Sequence, residues 1–282
     1  MATILVVPYI HDRFKSSHYL LKALFPHWAR LGHQVLIRSD LDHLPNADVA
    51  VLHLDRTVVP DRYAAAVARF PVVINARARD LSKRTVSTNL LAPQDTWDGR
   101  VIVKTDLNSH GNSEAMHLHH EGVEPRPTTL ARYAIFDHLR LVPGHVWLDP
   151  SLVVERFLPE PDPDGYALRV WTFLGDRERC TRYVGREPIV KAADFVSRVP
   201  CEVPDVIRAE RKRLGFDYGK FDFVVHDGRA VLLDANSTPT LPSSVSPMLA
   251  SSNAELAVGM SGFVRAAQRG DNTNDGQRSA SW

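Results

Sequence analysis

The chain has 282 residues, 44% of them hydrophobic and 24% charged, which suits one large or two modest α/β domains with real cores. The 34 basic and 33 acidic residues leave a formal charge of +1, so no broad field favours nucleic acid or an anionic membrane. No run approaches the roughly 20 apolar residues of a membrane span.

The opening Met-Ala-Thr-Ile-Leu-Val-Val-Pro lacks a basic stretch, and its apolar run is too short for a signal peptide. The expected location is therefore the cytoplasm. Cys180 and Cys201 read as reduced thiols, since two cysteines make neither a metal pattern nor a disulfide framework.

Residues 3–7 form a short apolar run typical of a buried parallel strand. Leu20, Leu21, Leu24, Phe25 and Trp28 recur at helical spacing, with Gly32 as a stop. Strands are predicted at 34–37, 49–54 and 72–75, and a helix at 62–70. This β-α-β-β-α-β rhythm predicts a small open α/β unit over residues 1–76. It has no Gly-x-Gly-x-x-Gly turn after the first strand, which removes the main support for dinucleotide binding.

Beyond residue 76, a helix is predicted over 81–91 and a strand over 101–104. The polar, histidine-rich stretch 105–125 reads as a mobile loop. A helix over 129–138 and a strand over 152–157 follow. Strands at 166–174 and 179–184 are joined through Gly175-Asp176. A helix over 204–214 then leads to strands at 220–226 and 230–234, joined by Asp227-Gly228, a strong hairpin signal. From Gln268 onward the chain is polar and is expected to be disordered.

That last hairpin carries the most chemistry. Its fold-back brings Asp222 and Asp234 together, and Asn236, two residues on, points to the same face. Three hard oxygen donors suit Mg²⁺ beside phosphates, although polar strand ends are common on any hairpin.

The pattern Asp222-Phe223 … Asp234-Ala-Asn236-Ser-Thr-Pro239 resembles the ATP-grasp superfamily, which includes glutathione synthetase, D-alanine–D-alanine ligase and related carboxylate–amine ligases. The family usually has Glu where this chain has Asp234, which leaves open whether one or two ions bind. The resemblance implies an α/β (α+β) ATP-grasp fold behind a small N-terminal α/β pre-grasp domain. Its implied boundaries are 1–76 for the pre-grasp unit, 77–267 for the two subdomains clasping ATP, and a tail over 268–282.

The resemblance also implies site residues. Lys104, ending Val101-Ile-Val-Lys, and the earlier Lys83 would contact phosphates, under a small-residue loop containing Gly111. In Leu152-Val-Val-Glu-Arg-Phe-Leu158, Glu155 would accept from the adenine amino group, and the backbone near Phe157 and Leu158 would hold the purine edge. Asp162 or Asp164 would reach the ribose, unless that run is a solvated loop. Arg169 would stabilise the transferring phosphoryl group, a guanidinium suiting that charge; its other reading is an exposed strand arginine. Lys191 would be a further phosphate or substrate contact, unless it is simply a solvated lysine. The implied cofactors are ATP and Mg²⁺, with Mn²⁺ as a substitute, and the implied metal ligands are Asp222, Asp234 and Asn236.

Three functions fit these readings: a ligase joining a small-molecule carboxylate to an amine through an acyl phosphate, a small-molecule kinase of the same fold, and a nucleotide-binding protein without turnover. Acceptor recognition has no motif, but His11, Arg13, His53 and Arg56 are candidates. Oligomeric state stays open, a homodimer included. His110, His117, His119 and His120 lack a Cys partner or a His-Glu-x-x-His pattern for zinc. No Gly-x-Ser-x-Gly elbow or P-loop is present.

Overall fold

Four parallel strands open the chain: β1 (Thr3–Pro8), β2 (Gln34–Ile37), β3 (Val49–His53) and β4 (Val72–Ile74), in the order β2-β1-β3-β4. The computed structural model describes residues 1–124, 133–191, 195–241 and 249–270. Helices α1 (Leu20–Arg30) and α2 (Asp61–Val67) connect the strands, as the sequence rhythm predicts.

Both faces of this sheet are covered, which is why β1 and β3 read as unbroken apolar runs. Ile4 and Val6 pack into one core with Leu20, Leu24 and Trp28, while Leu5 and Val7 pack into another with Tyr63 and Val67. Strand order reverses between β1 and β3, so a crevice opens at their carboxyl ends, beside Tyr9 and Asp55.

The helix predicted over 81–91 shrinks to α3 (Lys83–Val86), capped by Ser82, whose side chain accepts from Thr85 N–H. Residues beyond it run extended instead. Leu91 N–H donates to Val154 O at 2.8 Å, and Leu90 bridges to Glu155. A tertiary strand partner outweighs local helix propensity here.

β5 (Val101–Thr105) pairs with β6 (Ala134–Phe136) and β7 (Leu152–Arg156) in a three-stranded antiparallel sheet. Two expectations fail around it. Residues 112–120 of the predicted loop form helix α4 (Asn112–His120), entered through a tight 3₁₀ turn, Asn108–Gly111. α4 buries Glu114 and His117 rather than an apolar stripe, so hydrophobic periodicity could not reveal it. Residues 134–136 of the predicted helix are instead β6, recruited by β5; residues 129–132 lie outside the described residues.

α5 (Gly144–Leu148) precedes β7. Then β8 (Glu160–Asp162), β9 (Gly165–Leu174), β10 (Arg177–Gly185), β11 (Phe195–Pro200), β12 (Tyr218–His226) and β13 (Arg229–Asn236) form a six-stranded antiparallel sheet. Its order is β11-β10-β9-β12-β13, with β8 on β9. Both predicted hairpins are present. Asp227 and Gly228 have φ of 48° and 75°, which matches the primed turn that a two-residue Asp-Gly loop favours.

α6 (Asp205–Leu214) covers one face of this sheet, burying Ile207 and Leu214 with Trp171, Phe173, Phe221 and Phe223. Finally α7 (Ala250–Ala257) and α8 (Met260–Arg269) return to the first sheet. Leu256, Ala257, Met260 and Val264 complete its core, and Trp28 Nε1 donates to Ala257 O at 3.0 Å. Gln268 and Arg269 thus end a helix; residues 271–282 lie outside the described residues. Among the described residues no helix is long and apolar enough to cross a membrane.

Candidate functional site

The Asp227-Gly228 turn sets the register of the hairpin above it. Val224 pairs with Val231 and Phe223 with Leu232, and then a bulge inserts one residue into β13. Past the bulge, Asp222 stands directly opposite Asp234, and Lys220 opposite Asn236. The extra residue lets Leu233 and Asp234 both border the same cleft.

That cleft, about 370 Å³, lies between the two antiparallel sheets. Ile102, Phe157, Leu158, Leu168, Val190 and Leu233 give it apolar walls, while Lys83, Lys104, Asp222 and Asp234 make one end charged. It therefore offers an apolar slot that ends in a cluster of charges, two lysines against two carboxylates.

The charged end is internally paired. Lys83, only 5% exposed at the start of α3, donates from Nζ to Asp234 Oδ1 and to Asn108 Oδ1 at 2.6 Å. Lys220 Nζ donates to Asp222 Oδ2 at 2.8 Å. Burial works against charge on Asp234, but Lys83 outweighs it and holds this carboxyl below its ordinary pKa. Asp222 goes the other way: burial, reinforced by Asp234, pushes its pKa up despite Lys220. Two facing carboxylates thus have opposite shifts, because only one has a cation strong enough to offset its burial.

Deeper in the cleft wall, Lys104 on β5 pairs with Glu155 on β7 at 2.6 Å, both buried. Glu155 Oε1 is buried without a hydrogen-bond partner. Phe157 and Leu158 follow directly as β7 ends. Phe157 N–H is committed to Arg100 O at 2.9 Å.

The structure brings Lys83, Lys104, Phe157, Leu158, Asp222 and Asp234 to one cleft, with Lys191 exposed at its lip, while Glu155 does not line the cleft and lies buried behind its wall on Lys104. Three other sequence candidates stand differently. Arg169 pairs with Phe223, one position out of step with Asp222, so it sits on the opposite face of the sheet. There it grips Glu160, with Nε to Oε2 at 3.0 Å and Nη2 to Oε1 at 2.9 Å. Asp162 is held by Arg182 at 2.7 Å and by the Asp164 N–H at 3.0 Å, and it does not border the cleft. Asn236 shares the face of Asp222, but its Oδ1 accepts from Thr238 N–H at 2.7 Å and Thr238 Oγ1 at 3.3 Å, turning the chain after β13.

Of the acceptor candidates, His53 is fully buried between the rings of Phe14 and Tyr19, and burial lowers its pKa to about 3. Arg56 stacks on Tyr9 with 4.9 Å to the ring centroid, His11 stacks on His120, and Arg13 is exposed. Cys180 and Cys201 are free thiols with Sγ atoms 3.1 Å apart, on the Arg169 side of the sheet. Lys220, Asn108 and Glu114 escaped the sequence reading. For Lys220 a signal existed, since a residue two before Asp222 on a strand must share its face.

The oxygen donors fit a divalent cation in part. Asp222 Oδ1 is buried with no partner, and Asp234 faces it across the strand pair. Among the described residues no group of three or more His, Cys, Asp or Glu side chains could hold a metal, so an ion here would rest on two carboxylates plus other oxygens.

Scans of the sequence against protein-family profiles and against curated proteins find no match. Comparison of structures does. The ATP-grasp ligase PsnB, in a complex with minimal precursor, Mg and ADP, aligns at 14% identity with a TM-score of 0.53, covering 94% of this chain and 98% of PsnB. D-alanine–D-alanine ligase from Bacillus anthracis, complexed with ATP, aligns at 12% identity with a TM-score of 0.52, covering 95% and 99%. The macrocyclase MdnC from Microcystis aeruginosa MRC, bound with precursor peptide MdnA, aligns at 11% identity with a TM-score of 0.52, covering 91% and 98%. At these identities the likeness is one of fold, and the fold is ATP-grasp.

Proposed function

We propose that this chain is an ATP-dependent carboxylate–amine ligase whose nucleotide lies in the cleft between the two antiparallel sheets. One observation carries the reading: facing carboxylates, Asp222 and Asp234, close the end of an apolar slot and are bracketed by Lys83, Lys104 and Lys220. Nucleotide-bound neighbours of the same fold support it. In this reading residues 1–76 form the pre-grasp unit and 77–267 the ATP-clasping unit.

The adenine lies against Phe157 and Leu158, and Glu155, buried behind the cleft wall, holds Lys104 in place. Lys83 and Lys104 receive the phosphates. Asp222 and Asp234 would hold Mg²⁺, or Mn²⁺ in its place; when bound, the ion neutralises phosphate charge. Lys220, beside Asp222, is the fixed cation for the transferring phosphoryl group, the part the sequence reading gave to Arg169. The γ-phosphoryl group passes to a substrate carboxylate. An amine then attacks the acyl carbon, phosphate leaves, and the amide forms with one proton released.

An ADP-release screen tests this, pairing carboxylic acids with amines, with and without Mg²⁺. ADP that appears only when both acid and amine are present supports the ligase. ADP with a hydroxyl compound alone supports a kinase, and tight ATP binding without ADP under any mixture supports a protein without turnover. Lys104→Ala should weaken ATP binding about tenfold, or about 1.4 kcal/mol; unchanged affinity would remove β5 from the site.

A further inference from the structure

A second, much smaller pocket lies just past Asp234, where the carboxyl end of β3 meets the start of α4. Its volume is about 20 Å³, room for a single water-sized group. Asp55, Glu114, Ser113 and Thr238 line it, together with Arg56 and Asp234.

The charges in this pocket do not balance. Glu114 is only 8% exposed; its Oε1 accepts from Thr57 N–H, and its Oε2 is buried without a hydrogen-bond partner. Among the described residues the Asp55 carboxylate has neutral hydroxyls as neighbours: Ser113 Oγ donates at 2.7 Å, Thr238 Oγ1 at 3.2 Å is shared with Asn236, and Tyr19 OH at 3.5 Å is turned to Asp12. Neither carboxylate makes an ion pair among the described residues. The lining cation, Arg56, donates from Nη1 to Tyr9 OH at 3.1 Å and stacks on that ring, while its Nε is buried without a partner.

A buried carboxylate oxygen without a donor is costly, and a cationic donor relieves the cost best. An ammonium group is compact, brings three N–H donors and accepts nothing, so it matches a pocket of this size walled by carboxylates and hydroxyl oxygens. The pocket also sits at the switch-point crevice of the first sheet, where open α/β sheets receive ligands. Its far wall is Asp234, which also borders the larger cleft.

We propose that this pocket seats a primary ammonium group of a co-substrate, held by Glu114 and Asp55 beside the point of phosphoryl transfer. The assignment deepens the ligase reading and rests on it for the identity of the larger cleft. The small volume adds a selection rule: primary ammonium groups enter, and quaternary ones do not.

The test is saturation-transfer NMR on the full chain with methylammonium, using tetramethylammonium and methanol as size and charge controls. Glu114→Gln keeps the oxygen that accepts from Thr57, so the variant should fold, and its ADP affinity should stay within about twofold of wild type. The expected result is methylammonium saturation in the wild type that falls at least fivefold in Glu114→Gln and in Asp55→Asn, with none for tetramethylammonium. Equal methylammonium signals in wild type and variants, or an equal signal from methanol or tetramethylammonium, would overturn the seat. ADP binding without methylammonium saturation overturns the seat and leaves the nucleotide cleft standing. Glu114-dependent saturation without ADP binding supports the seat and overturns the cleft.

Discussion

Trp171, Phe173, Phe221 and Phe223 project from one face of the six-stranded sheet, while Thr172, Lys220, Asp222 and Asp234 project from the other. The two sets alternate along the same strands. The aromatic face is a packed core: Phe173 and Phe221 meet edge-on at 5.2 Å, and Phe216 meets Phe221 at 5.0 Å. The other face leaves charges half-paired around a cleft. A strand can therefore hold a rigid platform and a charged cluster within one residue of each other, because successive side chains never meet. The first face positions the second.

This division can be tested from both sides. Asp222→Asn should lower ATP turnover by at least a hundredfold while the melting temperature stays within a few degrees; full turnover would show that the polar face is not the site. Phe221→Ala acts on the opposite face and should cost about 3–5 kcal/mol in denaturant unfolding. A loss under 1 kcal/mol would mean that the aromatic layer is not the platform described.

The first sheet extends the comparison. His53 shares its face with Val49 and Val51 and is buried neutral, its pKa lowered to about 3 from an ordinary 6.5 by desolvation. Below about pH 6.5 the unfolded chain takes up a proton that the folded chain refuses. Stability from this source is thus complete above pH 6.5 and shrinks as pH falls, by ~2 kcal/mol at pH 5. Asp12 works in the opposite sense, because burial raises its pKa to about 7 and acid then favours the folded state. The measurement is therefore the difference between wild type and His53→Leu, whose pH slope should be flatter by that amount. Identical slopes would place His53 in contact with water.

Arg169→Gln should have the smallest effect. Glu160 keeps Arg182 and the Val225 N–H as partners, so the expected stability loss is about 1 kcal/mol, with ADP affinity and turnover within about threefold of wild type. A large loss of turnover would return Arg169 to the site and undo the division between faces.

The parts legible in the sequence are those where the signal is local. The N-terminal rhythm and both hairpins follow from apolar runs and from the Gly-Asp and Asp-Gly turns. The pairing of Asp222 with Asp234 follows from the hairpin alone, apart from the bulge. Arg169 was misplaced because its role was carried over by resemblance, whereas its face is set by the β9–β12 register, a one-residue matter invisible without the partner strand. Asn236 was legible as a residue on the correct face, but the capture of its oxygen by Thr238 depends on the turn that follows. α4 and β6 were missed for one reason: each is decided by what it packs against, Asp55 and Thr57 for α4, and β5 for β6.

By itself the sequence determined the order of strands and helices in the first 76 residues, the two tight turns, and the presence of two carboxylates on one hairpin face, since chain geometry over a few residues dictates all of these. Only the tertiary structure decided which lysines reach those carboxylates, which arginine is spent elsewhere, and that Asp55 and Glu114 converge across 59 residues of chain beside Asp234. Charges far apart in sequence affect one another only once packing has excluded the water between them.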